Sequence, residues 1–331
     1  MHDIELIAPP STPDLAVLIA QAAKFLGAAK ANSTRASYAA DNRDFKNFCV
    51  ANALPYLPST AETVVLYITH LASRVPPMSI STIKRRLAAL RYLHLQAGHD
   101  SPAARDQHYI LHEVLEGIKR TLGTDQHGAD PISSDAIRRI AASCPATLLG
   151  TRDRALCLLG FSMGARRSEL ASIIEFRDLT LTEPLGLYIV LRRSKTDQFG
   201  EDPRPVAVPF GQHPETCPVL AVQAWIKAGK ITSGAVFRAV DRHGNVSSRP
   251  LCPRSIAKIL ARASGRAGID AAIAHISPHS LRAGMCTQAA INGAEERDIA
   301  RTTGHRSVRM VRRYIRDANL FRDNASGRLG L

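Results

Sequence analysis

Apolar residues in the first part of the chain recur three or four positions apart, the spacing that places them on one side of an α-helix. In the segment that ends at Gly98, this stripe consists of Ile80, Ile83, Leu87, Leu90 and Leu93. Similar patterns predict five helices, over residues 12–29, 32–52, 59–74, 79–98 and 101–123. Residues 1–123 are therefore predicted to form a helical domain.

Serine and threonine residues stand before three of these helices, where a hydroxyl can accept a hydrogen bond from a free backbone N–H group. We predict Thr12, Ser59 and Ser101 as N-caps. Ser59 is followed three residues later by Glu62, the spacing of a capping box. The caps indicate where each helix should begin.

The pattern changes after residue 123. Residues 124–135 are polar and contain Gly and Pro, so we predict a linker over 124–132 that leads into a new helix cap. Short extended runs, separated by polar turns, predict strands over 178–183, 186–193 and 204–210, the last two as a β-hairpin. Helical patterns cover 133–144, 150–173, 217–229, 253–268, 277–293, 294–304 and 307–316. The predicted fold is mainly α with a small antiparallel β-sheet in a second domain, 133–331, that ends in a tail, 317–331.

Charge narrows the range of partners. The chain has 331 residues, 43 Lys and Arg against 29 Asp and Glu, and a net charge of +14. This excess indicates a polyanionic partner, either nucleic acid or an acidic membrane surface. No apolar run is long enough to span a membrane, and the acidic N-terminus lacks the pattern of a signal peptide. We therefore expect nucleic acid as the partner, no membrane, and a cytoplasmic location.

Metal chemistry has no support in the sequence. The six cysteines are scattered without a CxxC pair, and the twelve histidines lack the spacing of paired metal ligands. Single thiols in a reducing compartment are the expected state. We expect no metal and no cofactor.

Four stretches of the second domain, GARRSEL, SKTDQ, SPHSLR and GHRSVRMVRRY, carry groups that can act on phosphate. The residues are Arg166, Glu169, Lys195, His279, Arg282, His305 and Tyr314. Each has an ordinary alternative: a surface ion pair, a turn lysine, a chance HxxR pattern, or a solvated basic helix whose tyrosine packs by its ring. The joint occurrence of all four stretches, in this order and after a basic helical domain, indicates a phosphate-acting site much more specifically than any one stretch does.

Together these groups can break a phosphodiester. Tyr314 offers a phenol oxygen as nucleophile, and nearby guanidiniums favour its deprotonation. Arg166 and Arg282 have planar forks that match phosphate oxygens. Lys195, at a hairpin tip, can donate a proton to the leaving 5′ oxygen. The two histidines can donate hydrogen bonds to phosphate or carry the tyrosine proton.

The four stretches resemble the boxes of the tyrosine recombinase (phage integrase) family. That family's pattern is an Arg with an acidic residue three later, a hairpin Lys, HxxR, and a His or Trp nine residues before the nucleophilic Tyr. The resemblance covers about 133–316, and the upstream helices resemble the family's core-binding (SAM-like) domain. The chain is similar to simple, Cre-like members and to bacterial mobile-element integrases. Ala165, just before Arg166, and Ala283, just after Arg282, differ from the residues common in the family. These differences concern the expected packing around the two arginines more than their expected chemistry.

The resemblance implies a C-shaped clamp on double-stranded DNA and a site-specific recombinase that works through a 3′-phosphotyrosyl intermediate and a Holliday junction. Neither ATP nor metal would be required. From the same resemblance we expect that the protein binds inverted-repeat sites and is a monomer in solution. We also expect a homotetramer on paired sites and a location at the bacterial nucleoid. Two alternatives stay open: a type IB topoisomerase, and a non-catalytic DNA-binding regulator on the same scaffold.

Three further expectations concern DNA binding and the two ends of the chain. Lys84, Arg85, Arg86 and Arg91 are predicted to lie opposite the apolar stripe of their helix and to bind DNA, with a solvated face as the alternative. Because few residues precede the first predicted helix, we expect no additional arm-binding domain. Family members often dock the tail on a neighbouring subunit, and Leu320, Phe321, Leu329 and Leu331 are predicted to serve this purpose, with docking on its own domain as the alternative.

Overall fold

A computed structural model describes residues 15–103, 109–124, 129–194, 197, 199–269, 276–319, 326 and 329. The chain divides into two compact units, 1–126 and 127–331. The predicted linker, 124–132, spans this boundary, and 125–128 lie outside the described residues. The roles assigned to the two predicted domains stay predictions.

The first unit consists of five described helices: α1 (Leu15–Ala28), α2 (Asn32–Ala51), α3 (Ala61–Ala72), α4 (Ile80–Gln96) and α5 (Tyr109–Leu122). Its core forms where the apolar faces of α2 to α5 meet, around Phe45, Tyr67, Ile68, Leu111 and Leu115. The apolar stripe predicted for α4 lies in this core at Ile83, Leu87 and Leu90. By contrast, α1 has no buried residue, although it is rich in apolar side chains.

Two of the predicted N-caps are wrong. The side chain that caps α3 is Thr60, which accepts from the backbone N–H of Thr63. Ser59 has another task, because its hydroxyl and its backbone N–H both lie 3.1 Å from Nε2 of the buried His94. Ser101 accepts from the N–H of Ala103 within a turn that is not helical. Thr12 lies outside the described residues.

Arg86 does not lie on the outer face of α4, so its predicted position opposite the apolar stripe is wrong. Its side chain is buried, and its guanidinium donates to Asp44 and, at 2.5 Å, to the hydroxyl of Tyr67. Asp41, also buried, lies 3.7 Å from Nε of Arg86 and pairs with Arg85. A buried guanidinium held by two carboxylates is part of the core of the first unit. Lys84 and Arg91 are exposed.

The second unit contains α6 (Ser134–Ala142), α7 (Leu148–Ser162), α8 (Pro218–Ala228), α9 (Pro253–Arg266), α10 (Pro278–Ile291), α11 (Glu296–Thr303) and α12 (Val308–Asn319). Three strands, β1 (Leu179–Thr182), β2 (Gly186–Leu191) and β3 (Arg204–Pro209), form an antiparallel sheet in the order β1-β2-β3. The register pairs Leu179 with Ile189 and Ile189 with Val206. These apolar residues face the core, which α7 and the buried Trp225 dominate.

A second, two-stranded sheet was not predicted. It pairs β4 (Arg238–Val240) with β5 (Val246–Pro250). The strands are short, and β5 reads VSSRP, with no apolar alternation and a proline at its end. Nothing in that pattern distinguishes it from a loop, so only the pairing itself defines these strands.

The helix predicted over 150–173 is interrupted, and this break positions Arg166 for the site described below. The α7 helix ends at Ser162, and a separate turn of π-helix covers Glu169–Ile173. Gly164, at φ +55°, lies in the break. Its missing Cβ would come within 2.7 Å of Cγ2 of Thr303, so this close approach also requires glycine. The break turns Arg166 away from the line of α7 and toward α11.

Within the residues described, no helix is both long enough and apolar enough to cross a membrane.

Candidate active site

The site is built around the C-terminal end of α11. Three successive carbonyl groups there each accept a hydrogen bond from a different arginine. Arg204 donates to the carbonyl of Thr302, Arg282 Nη1 to that of Thr303 at 2.7 Å, and Arg166 Nη2 to that of Gly304 at 3.1 Å. The last carbonyls of a helix lack partners within the helix and carry partial negative charge. One helix end therefore gathers guanidiniums from three distant parts of the chain.

Glu169 supplies the negative charge in this group. Its side chain is fully buried, accepts from the backbone N–H of Arg166 at 2.8 Å and from Nη1 of Arg166 at 2.9 Å, and lies 3.5 Å from Nη2 of Arg204. The ion pair is thus inside the protein, and the alternative of a weak surface pair does not apply. Glu169 aligns the guanidinium of Arg166 and offsets part of the repulsion between the arginines.

Arg282 reaches the site from α10. It is 2% exposed, and its Nη1 also donates to the carbonyl of Gly164 at 2.8 Å, so it joins the break after α7 to the end of α11. Its Nη2 is buried, and no described residue accepts a hydrogen bond from it. Burial, together with the charge of Arg166, lowers the pKa of Arg282 to about 10, which still leaves it protonated at pH 7.

Three guanidiniums and one carboxylate leave the site with excess positive charge. Burial is the first cause that lowers the pKa of both Arg204 and Arg282, and the charge of Arg166 adds to it in each case. A bound anion would relieve this repulsion. The arrangement therefore suits a phosphate group, which would lie among donors already fixed in position.

His305 follows α11 directly. Gly304 ends that helix in the left-handed conformation, at φ +65°, which turns the chain so that Nδ1 of His305 lies 2.6 Å from Oγ1 of Thr303. Burial lowers the pKa of His305 to about 3, and the charges of Arg282, Arg166 and Arg204 add to the effect. The imidazole is therefore neutral at pH 7.

Tyr314 lies on α12 with its ring centroid 6.3 Å from that of His305. The ring packs against a small apolar cluster made by Cys286, Ala290, Ile299 and Val311, which seats α12 on α10 and α11. The ring packing expected of an ordinary core tyrosine is therefore present, and the phenol is also next to His305. Arg309, Arg312 and Arg316 line an open pocket of about 350 Å³ on the same helix.

His279 is the second residue of α10. The hydroxyl of Ser277 accepts from its backbone N–H at 3.2 Å, its side chain is exposed, and it is one of the groups that lower the pKa of His305. Lys195 lies outside the described residues. The structure therefore gathers Arg166, Glu169, Arg282, His305 and Tyr314, with His279 nearby.

Arg204 was not predicted. It is the first residue of β3, and its guanidinium contacts Glu169 and the end of α11. The only sequence signal is an arginine at the start of an otherwise apolar strand, RPVAVP, whose partner strand is also apolar. A charge placed next to a buried sheet needs a partner, and that requirement could have drawn attention to it.

Residues 131–320 match the model of the phage integrase family. The chain is 34% identical over 310 residues to an integrase/recombinase XerD homolog of Selenomonas ruminantium, which covers 93% of this chain and 89% of that protein. It is 30% identical over 242 residues to the tyrosine recombinase XerC of Syntrophus aciditrophicus, and the match covers 70% of this chain and 68% of that protein.

Solved structures resemble it in fold. The integrase of transposon Tn1549, in complex with transposon right end DNA, gives a TM-score of 0.57 at 15% identity and covers 90% of this chain and 93% of that one. A lambda integrase dimer bound to a core site gives a TM-score of 0.55 at 14% identity, and the match covers 91% of this chain and 95% of that one. The helical architecture with a small antiparallel sheet is shared. The chain belongs to the phage integrase family and is a tyrosine recombinase.

Proposed function

We propose that the protein exchanges strands between two DNA duplexes at specific sites, with Tyr314 as the nucleophile. The observation that carries this proposal is the convergence of Arg166 and Arg282 on the end of α11, next to His305 and Tyr314. A site with excess positive charge and a tyrosine at its edge is suited to attack on a phosphodiester. The recombinases and integrases named above support DNA as the substrate.

Cleavage begins when the Tyr314 oxygen attacks the scissile phosphorus. Arg166 and Arg282 stabilise the charge that develops on the non-bridging oxygens, because their donors are already in position and need no rearrangement. Lys195 gives its proton to the leaving 5′ oxygen, and His279 or His305 contacts the phosphate or carries the phenol proton. The products are a 3′-phosphotyrosyl bond and a free 5′-hydroxyl.

Rejoining reverses these steps with a different strand. The 5′-hydroxyl of a partner duplex attacks phosphorus, the bond to Tyr314 breaks, and the proton returns to the phenol. The covalent link conserves the energy of the phosphodiester, so no nucleotide hydrolysis is needed. Two such rounds, separated by a Holliday junction, exchange both strands of each duplex.

The assembly follows from this scheme. We propose that the protein is a monomer in solution and binds inverted repeats on double-stranded DNA, and that four copies act on two paired sites in the bacterial cytoplasm, at the nucleoid. Lys84, Arg85 and Arg91 are proposed to contact DNA phosphates; their net charge and exposure support this role, although Arg85 also pairs with Asp41. The expected docking of the tail by Leu320, Phe321, Leu329 and Leu331 stays a prediction; of these residues, only Leu329 is described, and it is exposed.

Tyr314→Phe tests the proposal directly. The variant keeps the ring that packs against the small cluster and lacks the oxygen, so it should bind its site normally but form no SDS-stable adduct with a nicked suicide substrate. Tyr188→Phe, which removes the hydroxyl of an exposed tyrosine on β2, is the matched control and should form the adduct as the wild type does. An adduct in the Tyr314→Phe protein would refute the assignment.

The same substrates distinguish the recombinase from the two alternatives. A topoisomerase relaxes supercoiled DNA of any sequence as a monomer, whereas a recombinase produces exchanged products only from two matching sites. A non-catalytic regulator binds a site and forms no adduct. We expect an adduct and exchange that requires paired sites.

A further inference from the structure

The turn between β2 and β3, residues 192–203, is anchored at both of its ends. Arg192, which follows β2, donates from Nε to the buried Asp178 at 2.6 Å. Arg204, the first residue of β3, donates to the carbonyl of Thr302 at the end of α11, where the guanidiniums of the site meet. The base of this hairpin is therefore fixed next to the site. How the rest of the turn lies relative to the site depends on the fold of the turn itself.

Asp197 joins the two arms of this turn. Its backbone N–H donates to Oγ of Ser194 at 3.0 Å, and its carbonyl accepts from the N–H of Ser194 at 2.8 Å. Its carboxylate accepts from the backbone N–H groups of Gly200 and Glu201 through Oδ1, at 2.9 and 3.1 Å, and from that of Asp202 through Oδ2, at 3.2 Å. One residue thus bonds to the arm that leaves β2 and, through its side chain, to the arm that leads to β3.

The charge of this carboxylate strengthens its contacts, because hydrogen bonds to an ionised acceptor are roughly twice as strong as those between neutral groups. Desolvation alone would raise the pKa of Asp197. The three backbone N–H groups, and after them the charge of Arg306, bring that pKa below its usual value, so the side chain is ionised at pH 7. Arg306 directly follows His305 in the chain, and its influence on Asp197 indicates that the turn lies on the side of the molecule where the site is built.

We propose that Asp197 is a positioning residue that shapes the turn around Lys195, so that Lys195 can deliver its proton to the leaving 5′ oxygen. Lys195 lies in the chain between Ser194 and Asp197, which are bonded to each other in both directions. The inference rests on the proposed function, in which Lys195 is the acid, and it names a residue on which that role depends. A turn without the carboxylate would hold the lysine in the reactive position for less of the time, and positioning of this kind contributes strongly to rate.

The step that depends on this position is the departure of the 5′ oxygen. The Tyr314 oxygen bonds to phosphorus, the bond from phosphorus to O5′ breaks, and Lys195 gives its proton to O5′ and becomes neutral. If sulfur replaces O5′, the bond from phosphorus to sulfur breaks and the sulfur leaves as a thiolate, because a thiol is acidic enough to leave without a proton. A defect in proton delivery should therefore disappear with sulfur, whereas a defect in phosphate binding should remain.

The experiment compares two nicked suicide substrates that differ only in this atom, with the full-length protein at saturating DNA. Asp197→Ala should cleave the oxygen substrate at least about tenfold more slowly than the wild type, a fraction of what a general acid contributes, and should cleave the sulfur substrate near the wild-type rate. Asp197→Asn keeps one of the two acceptor oxygens and should give a smaller defect. The ratio of the two rates in one protein sample does not depend on how much of that sample is folded.

Asp241→Ala is the matched control. Asp241 closes the turn between β4 and β5 in a similar manner, since its Oδ1 accepts from the backbone N–H groups of His243 and Asn245 at 2.8 and 2.9 Å. Its removal should disturb that turn and leave cleavage of both substrates unchanged. Lys195→Ala is the reference for loss of the acid itself, and sulfur should rescue it in the same way.

The outcomes separate this inference from the proposed function. If Asp197→Ala loses equally on both substrates, or on neither, while sulfur rescues Lys195→Ala, the positioning role of Asp197 is overturned and the acid role of Lys195 stands. If sulfur does not rescue Lys195→Ala, the acid role in the proposed function is overturned, and the inference with it. A wild-type protein that forms no phosphotyrosyl adduct would overturn the proposed function of Tyr314.

Discussion

Gly304 ends α11 at φ +65°, a conformation that residues with a side chain rarely adopt. A Cβ at this position would lie 2.6 Å from Nε of Arg204 and 2.9 Å from its Cδ and Cζ. Arg204 cannot move aside freely, because its guanidinium is held by the carbonyl of Thr302 and lies 3.5 Å from Glu169. Gly304→Ala should therefore strain the backbone and also displace Arg204.

The magnitude follows from these two effects. The left-handed conformation costs an alanine roughly 1 kcal/mol. Displacing a guanidinium from its acceptors costs roughly 1.5–3 kcal/mol more. The free energy of unfolding should therefore fall by roughly 3 kcal/mol, and the melting temperature by about 6–12 °C for a unit the size of residues 127–331. Strand cleavage should also slow, because the displaced arginine no longer supports Glu169.

Gly293→Ala is the matched control. Gly293 lies between α10 and α11 at φ +85°. No atom of the described residues beyond its neighbours lies within 4 Å of the position of its Cβ, so the substitution carries the same strain without a collision. It should lower the melting temperature of the full-length protein by only about 2–4 °C. Calorimetry of both variants gives the difference. Equal losses in the two proteins would mean that Arg204 moves aside at little cost, and would refute the argument that it is held in place.

Three further predictions use other parts of the molecule. Arg86→Ala should destabilise the first unit by about 3 kcal/mol, measured by chemical denaturation, because it removes the buried cation that pairs with Asp41 and Asp44. Arg91→Ala should keep that stability and flatten the slope of log K against log salt for DNA binding by about one. Arg204→Met should slow cleavage at unchanged DNA affinity. The pKa of His305 is about 3 in the folded protein and near its usual higher value in the unfolded chain, so between those values the unfolded state binds more protons. The free energy of unfolding should therefore decrease as the pH falls through that window. The decrease should be smaller in His305→Gln.

Each has a result that would contradict it. An Arg86→Ala protein of normal stability with a flatter salt slope would return Arg86 to the DNA-binding face. An unchanged salt slope in Arg91→Ala would make that residue part of a solvated surface. Normal cleavage by Arg204→Met would limit Arg204 to structure, and identical acid profiles for the wild type and His305→Gln would mean that the imidazole is not buried in its neutral form.

The sequence alone determined most of the elements, because their formation depends on neighbouring residues. Helical spacing located the helices from α2 to α12, and polar turns located β1, β2 and β3. Several of the residues that the structure brings together could also be identified, since Arg166, Arg282, His305 and Tyr314 occur in motifs of fixed spacing. Local patterns carry this information because each helix or hairpin is stabilised first by contacts within its own segment.

Only the tertiary structure decided what depends on residues distant in the chain. Gly164, in the break after α7, lies against Thr303, and carboxylates on α2 hold Arg86 in its inward position. Arg204 and Thr303 acquire their places because β3, α10 and the turn after α7 all meet at the end of α11. Charges and hydroxyls select partners by distance in space, and a sequence records distance only along the chain.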